Sequence, residues 1–497
     1  MAGLADELID HRFKALPPDA EGLTVGALAA ERRDLFTGGF TTPVLALSAE
    51  SVEHNLALLE SYAERHGLAF APHGKTSMSP QLFARQLEHG AWGITAAVPH
   101  QARVYRAYGI RRIFLANELV DAAALRWLAG ELDRDPEFRF VCYVDSVRGV
   151  ELMDEALRAA GASRPVDVVV ELGAGEGART GARTEAECAA VADAVAATGT
   201  LRLVGVAGYE GEVPDATGER VREWLRRLVA LAVAFDREGR FGRKDQEDRL
   251  AASRTAPEEA GPAPEEAGAA GEAAEPARGE SEPAAGEAGA AGEAAEPARG
   301  ESEPAAGEAG AAMRRVADAT DDGIVISAGG SAWFDAVADV FAQIPELSRP
   351  VLKLLRSGAY VSHDDGHYRH LTPFNRVPEE GVLRPAFRLW AQVVSRPSPG
   401  QAFLNAGKRD AAYDLDLPQA QVVRSGRDGT VRPATGITVG GLSDQHTWLR
   451  TEPGAELEVG DWVGMGLSHP CTSFDKWQLI PLVEADGTVT DYIRTFF

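Results

Sequence analysis

The first half of the chain alternates short apolar runs with longer stretches in which apolar residues recur every three or four positions. Runs of the first kind favour strands and stretches of the second kind favour amphipathic helices. Strands are predicted at 42–47, 68–71, 92–96, 113–116, 139–144, 166–172, 201–209 and 324–327, with helices between them. Such alternation is typical of a parallel sheet covered by helices on both faces. The number of strands favours a closed (β/α)₈ barrel over an open sheet.

The pattern changes after about Val351. Strand-like runs separated by Gly, Pro and Asp turns occur at 387–394, 419–423, 447–449, 461–465 and 479–483. This spacing predicts an antiparallel β domain. At the other end of the chain, residues 1–40 look like a helical lead-in without evident chemistry.

A low-complexity segment at 243–312 interrupts the barrel pattern. It repeats one unit in tandem, at 267–287 and 288–308, rich in Ala, Gly, Glu and Pro. A repeat without large apolar residues cannot bury a core, so we expect it to be disordered. The four prolines of the two repeat units, Pro276, Pro283, Pro297 and Pro304, oppose the competing interpretation, a helical rod. Because it lies after a helix and before a strand, we expect it to leave from the barrel end opposite the catalytic loops.

Composition narrows the possible functions. The 497 residues carry 45% hydrophobic content and a net charge of −25, which argues against nucleic acid and anionic membranes as partners. No apolar stretch approaches the roughly 20 residues of a membrane span, and the first 20 residues lack the pattern of a signal peptide. A cytoplasmic location is therefore expected. Three cysteines are too few for a disulfide framework, so each is a core thiol, a metal ligand or a nucleophile.

Lys75 is the first candidate for chemistry. It follows the predicted strand at 68–71, within Pro72-His73-Gly74-Lys75-Thr76. A parallel strand delivers its last residues to the mouth of a barrel, and a partly desolvated lysine there becomes a usable amine nucleophile. A solvated loop lysine is the alternative interpretation.

A second candidate site lies in the C-terminal domain. His469 and Cys471 are two apart on a segment expected to be extended, so the imidazole and the thiolate would point to the same side. That pair suits zinc, and two protein ligands suit a catalytic site that keeps positions for water and substrate. A buried thiol beside an ordinary surface histidine remains the alternative.

Turn residues at three other strand ends complete the set. Arg179 lies in a glycine-rich loop after the strand at 166–172, and Tyr209 ends the next strand. Gly329, Gly330 and Ser331 follow the strand at 324–327 and can present backbone N–H groups to a phosphate. Each could be ordinary turn chemistry, but together they favour a common site.

In this order the motifs resemble those of D-serine dehydratases, which belong with D-threonine aldolases to the alanine-racemase-like, fold-type III pyridoxal-phosphate enzymes. The resemblance covers the chain from about Thr41 to its end except the repeats. It rests on Thr42-Pro43-Val44, Pro72-His73-Gly74-Lys75-Thr76, Arg179-Thr180-Gly181, Gly208-Tyr209, Ala328-Gly329-Gly330, Arg356-Ser357-Gly358-Ala359-Tyr360 and His469-Pro470-Cys471. It implies a barrel plus a β domain that includes an N-terminal strand, usually in a homodimer.

The resemblance also implies residue roles. Lys75 would hold pyridoxal 5′-phosphate and take the substrate α-proton, and Tyr209 would line the ring as the second catalytic residue. Arg179 would contact the phenolic oxygen of the cofactor. The phosphate would bind Gly329, Gly330 and Ser331 with help from Gly358 and Tyr360, and zinc would bind His469 and Cys471. Ala359 stands where relatives often carry a polar residue, so its side chain has no assigned role.

The implied activity is dehydration of a D-hydroxyamino acid, D-serine or D-threonine, to a 2-oxo acid and ammonia. Related aldolases carry a carboxylate at the position of Cys471, and a thiolate favours zinc over magnesium or manganese. The alternatives are a D-threonine aldolase-type lyase and a non-catalytic pyridoxal-phosphate-binding protein. A racemase is less favoured because no second base can be placed from the sequence.

The expected organisation has four parts. Residues 1–49 form the lead-in and the strand that joins the β domain. Residues 50–242 and 313–345 form the cofactor-binding barrel, which the 243–312 repeats interrupt. Residues 346–497 form the C-terminal β domain with the metal site.

Overall fold

The computed structural model describes residues 3–242 and 322–497. The repeats, and a helix that the sequence predicts at 313–319, lie outside these residues. The chain enters through a short helix, α1 (Val25–Ala30), and a strand, β1 (Val44–Ser48). The region before β1 is mostly turns packed on a small apolar cluster, so the helical lead-in expected for residues 1–40 is wrong. Its apolar residues serve that cluster and do not form a long helix.

Eight parallel strands form the barrel. In chain order they are β2 (Ala69–Phe70), β3 (Ile94–Ala96), β4 (Arg112–Glu118), β5 (Arg139–Val144), β6 (Val166–Glu171), β7 (Leu201–Ala207), β8 (Ile324–Ala328) and β9 (Val351–Leu355). The sheet order is β2-β9-β8-β7-β6-β5-β4-β3. Its two ends meet, because the Trp92 N–H donates to the Phe70 carbonyl at 2.7 Å and His73 forms a parallel bridge with Thr95.

Helices cover the outer face of the barrel. They are α2 (Ala49–Arg65), α3 (Pro80–Glu88), α4 (Pro99–Ala107), α5 (Ala122–Arg134), α6 (Val147–Ala159), α7 (Glu185–Ala196), α8 (Gly218–Arg237) and α9 (Phe334–Phe341). Most begin at a Ser, Thr or Asp whose side chain accepts an N–H of the first turn, as at Ser48, Asp121 and Thr184. No helix within residues 3–242 and 322–497 is long and apolar enough to cross a membrane.

The second sheet is mainly antiparallel and follows α10 (His367–Leu371). Its C-terminal strands are β10 (Phe387–Ser398), β11 (Gln401–Leu404), β12 (Gln419–Arg424), β13 (Val431–Pro433), β14 (Ile437–Leu442), β15 (Thr447–Thr451), β16 (Trp462–Gly466), β17 (Leu479–Val483) and β18 (Val489–Arg494), with α11 (Cys471–Phe474) between β16 and β17. β1 lies between β10 and β17. The expected fold class, a barrel with a β domain that takes in an N-terminal strand, is confirmed.

The boundary expected at residue 346 is wrong. β9 pairs with β8 and β2, so residues 351–355 belong to the barrel and not to the C-terminal domain. The sequence pattern does not assign this strand to the barrel, because no long helix follows it as one follows the earlier barrel strands. A 3₁₀ turn (Ala359–Val361) and the five-residue α10 take that place.

The described residues on either side of 243–321 lie at the amino-terminal end of the barrel strands. The Gly242 N–H donates to the carbonyl of Leu203 near the start of β7, at 2.8 Å. On the other side, Asp322 lies two residues before β8. The loops that carry the candidate residues lie at the opposite end of the barrel.

Candidate active site

One cavity of about 360 Å³ opens at the carboxyl ends of the barrel strands. Parallel barrels carry their ligand sites at this face. Most of the candidate residues from the sequence line this cavity. They come from distant parts of the chain, so the fold is what brings them together. These are Lys75, Arg179, Tyr209, Gly329, Gly330, Ser331, Gly358 and Cys471.

Lys75 reaches the cavity from a 3₁₀ turn (Gly74–Thr76) directly after β2. The turn packs closely on the barrel, since a Cβ at Gly74 would lie 2.6 Å from the Tyr105 hydroxyl. The lysine side chain is open to the cavity, and the enclosing walls lower its pKa by desolvation. The positive charges of Arg179 and Arg356 lower this pKa further, and Cys471 opposes them. A lysine of lowered pKa is a better nucleophile and base at neutral pH.

His73 lines the cavity beside Lys75. Burial, followed by the positive charges of Lys75 and Arg356, holds the pKa of His73 well below its usual range, so the ring is neutral. Its Nδ1 atom has no hydrogen-bond partner among the described residues. Gly358 packs against it, because a Cβ there would lie 2.6 Å from the His73 Cβ.

Arg179 and Tyr209 face each other across the cavity mouth. The guanidinium carbon of Arg179 lies 5.8 Å from the centre of the Tyr209 ring. The guanidinium pairs with the Glu212 carboxylate, which also accepts the Arg179 backbone N–H at 3.0 Å. Burial and the neighbouring Glu210 raise the pKa of Tyr209 to about 12, so its phenol stays protonated at neutral pH.

The expected phosphate site divides into residues that face the cavity and one that does not. Gly329, Gly330, Ser331 and Gly358 line the cavity. Tyr360 does not: its ring packs edge-on against Phe70 at 5.2 Å, and its hydroxyl accepts a hydrogen bond from Gln86 at 3.3 Å. Any contact of Tyr360 with a ligand in the cavity would therefore come from its backbone.

His469 and Cys471 lie close together, but not on an extended segment. His469 has a φ of +55°, and Cys471 begins α11. The Cys471 thiol lines the cavity and lies 3.5 Å from the Thr76 hydroxyl. The expected extended geometry is wrong because the chain turns at Pro470 into the helix. The turn still keeps the imidazole and the thiol within reach of each other, and a hydrogen bond between them raises the pKa of His469.

Asp414 and Asp364 hold His469 from two sides. The Nδ1 atom of His469 lies 2.5 Å from Asp414, and this contact adds to the effect of Cys471, so that the pKa of His469 rises to about 9. The backbone N–H of His469 donates to Asp364 at 2.8 Å. A carboxylate on one ring nitrogen orients the other toward a metal. Asp414 was missed in the sequence because it lies 55 residues away in a loop without a pattern.

Arg356 belongs to a motif that carries the resemblance, but the sequence predicts no role for it. It is 4% exposed, lines the cavity, and donates to the carbonyl of Gly208 at 2.8 Å. Its guanidinium carbon lies 5.3 Å and 5.7 Å from the ring centres of Phe114 and Tyr143. A buried arginine held in this way supplies a fixed positive charge. Its place directly after β9 would have identified it, had β9 been assigned to the barrel.

Three carboxylates, Glu118, Asp145 and Glu171, converge at the ends of β4, β5 and β6. One oxygen from each lies within 4.8 Å of the others. Burial first, and then the charges of Glu171 and Asp145, raise the pKa of Glu118 to about 8. At neutral pH Glu118 therefore keeps a proton, which it can share with Glu171.

This raised pKa makes stability depend on pH. The folded protein binds the Glu118 proton more tightly than the unfolded chain, whose glutamates titrate near pH 4.5. Stability should therefore fall as the pH rises from about 4.5 to about 8. We expect Glu118→Gln to match the wild type at pH 5 and to unfold several degrees higher at pH 8.5, a gain of about 1–3 kcal/mol.

Thermal unfolding of the cofactor-free protein at both pH values measures this difference. Glu155→Gln is the matched control, since it makes the same chemical change at a glutamate that is exposed on α6. Equal midpoint shifts at pH 5 and pH 8.5 for Glu118→Gln would contradict the proton shared with Glu171.

Two family models match the chain. The model described as "Alanine racemase, N-terminal domain" matches residues 47–244, and the one described as "Putative serine dehydratase domain" matches residues 386–483. The first covers most of the barrel and the second covers most of the C-terminal sheet.

Similar proteins of known activity span nearly the whole chain. A D-threonine aldolase from Arthrobacter sp. is 25% identical over 452 residues, 90% of this chain and 90% of that protein. The crystal structure of D-threonine aldolase from Filomicrobium marinum has a TM-score of 0.62 at 20% identity and covers 92% of this chain and 95% of its own. D-threo-3-hydroxyaspartate dehydratase from Delftia sp. HT23 has a TM-score of 0.57 at 19% identity, with coverages of 93% and 99%. The two structural likenesses show a shared fold.

Proposed function

The chain belongs to the alanine-racemase-like, fold-type III family of pyridoxal-phosphate enzymes, and we propose that it dehydrates D-serine or D-threonine with the help of zinc. The products would be a 2-oxo acid and ammonia. One observation carries the proposal: an amine of lowered pKa, on Lys75, and a thiol, on Cys471, open on the same cavity. An α-proton acceptor and a metal ligand could thus act on neighbouring carbons of one substrate.

The cavity fits pyridoxal phosphate. Gly330 supports this, because a Cβ there would lie 2.7 Å from the Tyr209 ring and would close the space between the phosphate turn and the ring. The phosphate would lie against Ser331 and Gly358, and Lys75 would hold the aldehyde carbon. Arg179 and Arg356 add positive charge on the cavity wall, which favours an anionic ligand.

The residues of the chain then have distinct tasks. When bound, pyridoxal phosphate supplies an electron sink for the negative charge that develops at the substrate α-carbon. The Lys75 amine, of lowered pKa, takes the α-proton. Arg356 keeps a fixed positive charge at the cavity wall, and the protonated Tyr209 phenol lines the same cavity.

His469 and Cys471 fit a zinc ion. With Nδ1 of His469 held by Asp414, its Nε2 remains as a ligand atom beside the Cys471 thiolate. Zinc bound there would supply a Lewis acid for the β-hydroxyl, which is otherwise a poor leaving group. D-threo-3-hydroxyaspartate dehydratase, a protein of similar fold, has a cysteine-to-alanine mutant whose structure is a metal-free form, and this motivates a zinc measurement on the corresponding kind of variant here.

A product assay tests the proposed reaction. We expect purified protein loaded with pyridoxal phosphate and zinc to convert D-serine to pyruvate and ammonia, and D-threonine to 2-oxobutanoate. Chelation should remove this activity and added zinc should restore it. Failure to form a 2-oxo acid from either substrate, with the cofactor bound, would refute the proposal.

An aldolase-type lyase is the second candidate, favoured by the D-threonine aldolase that aligns over 90% of the chain. The same assay separates the two reactions, because cleavage of D-threonine yields glycine and acetaldehyde. We also propose a homodimer, which light scattering of the purified protein tests directly.

A further inference from the structure

The backbone N–H groups of the glycine turn after β8, Gly329–Gly330, donate hydrogen bonds to a buried carboxylate, that of Glu210. The N–H of Gly329 donates to one oxygen of Glu210 at 2.9 Å, and the N–H of Gly330 donates to the other at 2.5 Å. Glu210 is fully buried and is not among the residues that line the cavity. These two N–H groups therefore point away from the cavity, although the sequence had suggested them as phosphate donors.

The carbonyls of the same turn are also held. The backbone N–H of Arg356 donates to the Gly329 carbonyl at 3.3 Å, and the Ser357 hydroxyl donates to the Gly330 carbonyl at 3.0 Å. Every backbone polar group of the two glycines thus has a protein partner. Hydrogen bonds to an ionised carboxylate are stronger than those between neutral groups, so the two bonds to Glu210 are expected to dominate this arrangement.

Other donors face the cavity. Ser331 and Gly358 line it, and in the described part of the chain their backbone N–H groups have no acceptor. The Ala359 N–H lies 3.4 Å from the Ser331 hydroxyl, a long contact that a stronger acceptor would replace. Ser331 lies on the free side of the glycine turn whose other side is bound to Glu210, and Gly358 and Ala359 lie beside it in the loop after β9.

Glu210 also connects the glycine turn to Tyr209, its neighbour in the chain. It directly follows Tyr209, whose ring lies against Gly330 closely enough that a Cβ there would approach it to 2.7 Å. The spacing between the ring and the turn is therefore set by the same two hydrogen bonds.

We infer that Glu210 is a positioning residue for the phosphate of the cofactor: its carboxylate binds the Gly329–Gly330 turn so that Ser331, Gly358 and Ala359 present their donors to the phosphate. This inference rests on the proposed function. It assigns the direct phosphate contacts to those three residues and removes the two glycine N–H groups from that role.

Comparing two ligands tests the inference. Pyridoxal lacks only the phosphate, so the ratio of its dissociation constant to that of pyridoxal phosphate isolates the phosphate contribution. In Glu210→Gln the amide oxygen can accept from only one of the two glycine N–H groups. The amide NH₂ group would face the other N–H, so that hydrogen bond is lost. We expect this ratio, measured by fluorescence titration of the cofactor-free protein, to fall about tenfold, which is about 1.4 kcal/mol of phosphate binding.

The loss of the Glu210 charge alone would change the ratio in the opposite direction to the one that we expect. Removing a negative charge near the phosphate would by itself strengthen binding of pyridoxal phosphate, so a lower ratio reports geometry. Glu155→Gln removes the same charge from the exposed surface of α6 and should leave the ratio unchanged.

Three results would overturn the inference. An unchanged ratio, with both ligands weakened together, would mean that Glu210 supports only the fold. A higher ratio would mean that Glu210 competes with the phosphate for the glycine N–H groups. A wild-type protein that binds neither ligand would refute the proposed function itself, and is distinguished by failing before any substitution is made.

A second variant covers the case in which Glu210→Gln does not fold. Ser357→Ala removes only the hydroxyl that holds the Gly330 carbonyl, on the opposite side of the same turn. We expect a smaller fall of the same ratio. An unchanged ratio in Ser357→Ala would contradict the inference that hydrogen bonds to the Gly329–Gly330 turn position the phosphate donors.

Discussion

Replacing Lys75 by methionine is expected to abolish covalent binding of pyridoxal phosphate and to reduce 2-oxo acid formation by at least about 10³-fold. The amine that would form the bond to the cofactor, and that would take the α-proton, is lost in one step. The methionine side chain keeps a similar length and fills the same part of the cavity, so the fold should be retained.

Two measurements check this result. Borohydride reduction followed by peptide mass spectrometry locates the modified lysine, and the visible absorbance of the loaded protein reports the bound cofactor. Lys353→Met is the matched control, because Lys353 lies on the barrel strand β9 but does not line the cavity. A reduced adduct that persists in Lys75→Met would place the cofactor on another residue.

The position of Lys75 could be predicted because it depends on local pattern. A short apolar run that ends in turn residues puts the next side chain at the barrel mouth, whichever helices surround it. The same holds for Arg179, Tyr209 and the glycine turn after β8, which the fold brings to one cavity. Strand ends of a parallel barrel converge, so the order of the motifs was sufficient.

The contacts that tune the site could not be predicted in this way. Glu210 reaches Gly329 across 119 residues, and Asp414 reaches His469 across 55. Neither residue lies in a periodic pattern, and a carboxylate in a turn is by itself an ordinary surface feature. Their partners depend on how strands from distant parts of the chain are aligned in the sheets.

The assignment of β9 shows a different limit. Its apolar run resembles the earlier barrel strands, but the expected covering helix is absent, so the pattern suggested the start of a new domain. Neighbouring strands decide its membership, because β8 and β2 each offer an open edge that β9 completes. Pairing of this kind is a property of the whole sheet, and it brings Arg356 into the cavity.

Substitution of the proposed metal ligands should have the second large effect. If His469 and Cys471 are the two protein ligands, as proposed, Cys471→Ala leaves a single one, and we expect zinc affinity and 2-oxo acid formation to fall by at least about 100-fold. Asp414→Asn keeps both ligands but weakens the hold on Nδ1, so a smaller loss, about 10-fold, is expected. Cofactor absorbance should be retained in both variants, because Lys75 is unchanged.

Zinc content by elemental analysis, measured beside the D-serine assay, distinguishes loss of metal from loss of fold. Cys188→Ala is the control, since that thiol is buried in α7 and does not line the cavity. Full zinc content in Cys471→Ala would show that the metal lies elsewhere, and the carboxylates Glu118, Asp145 and Glu171 would then be the site to test. Full dehydration without zinc would instead require another proton donor for the leaving hydroxyl, because hydroxide departs poorly without a Lewis acid or a proton.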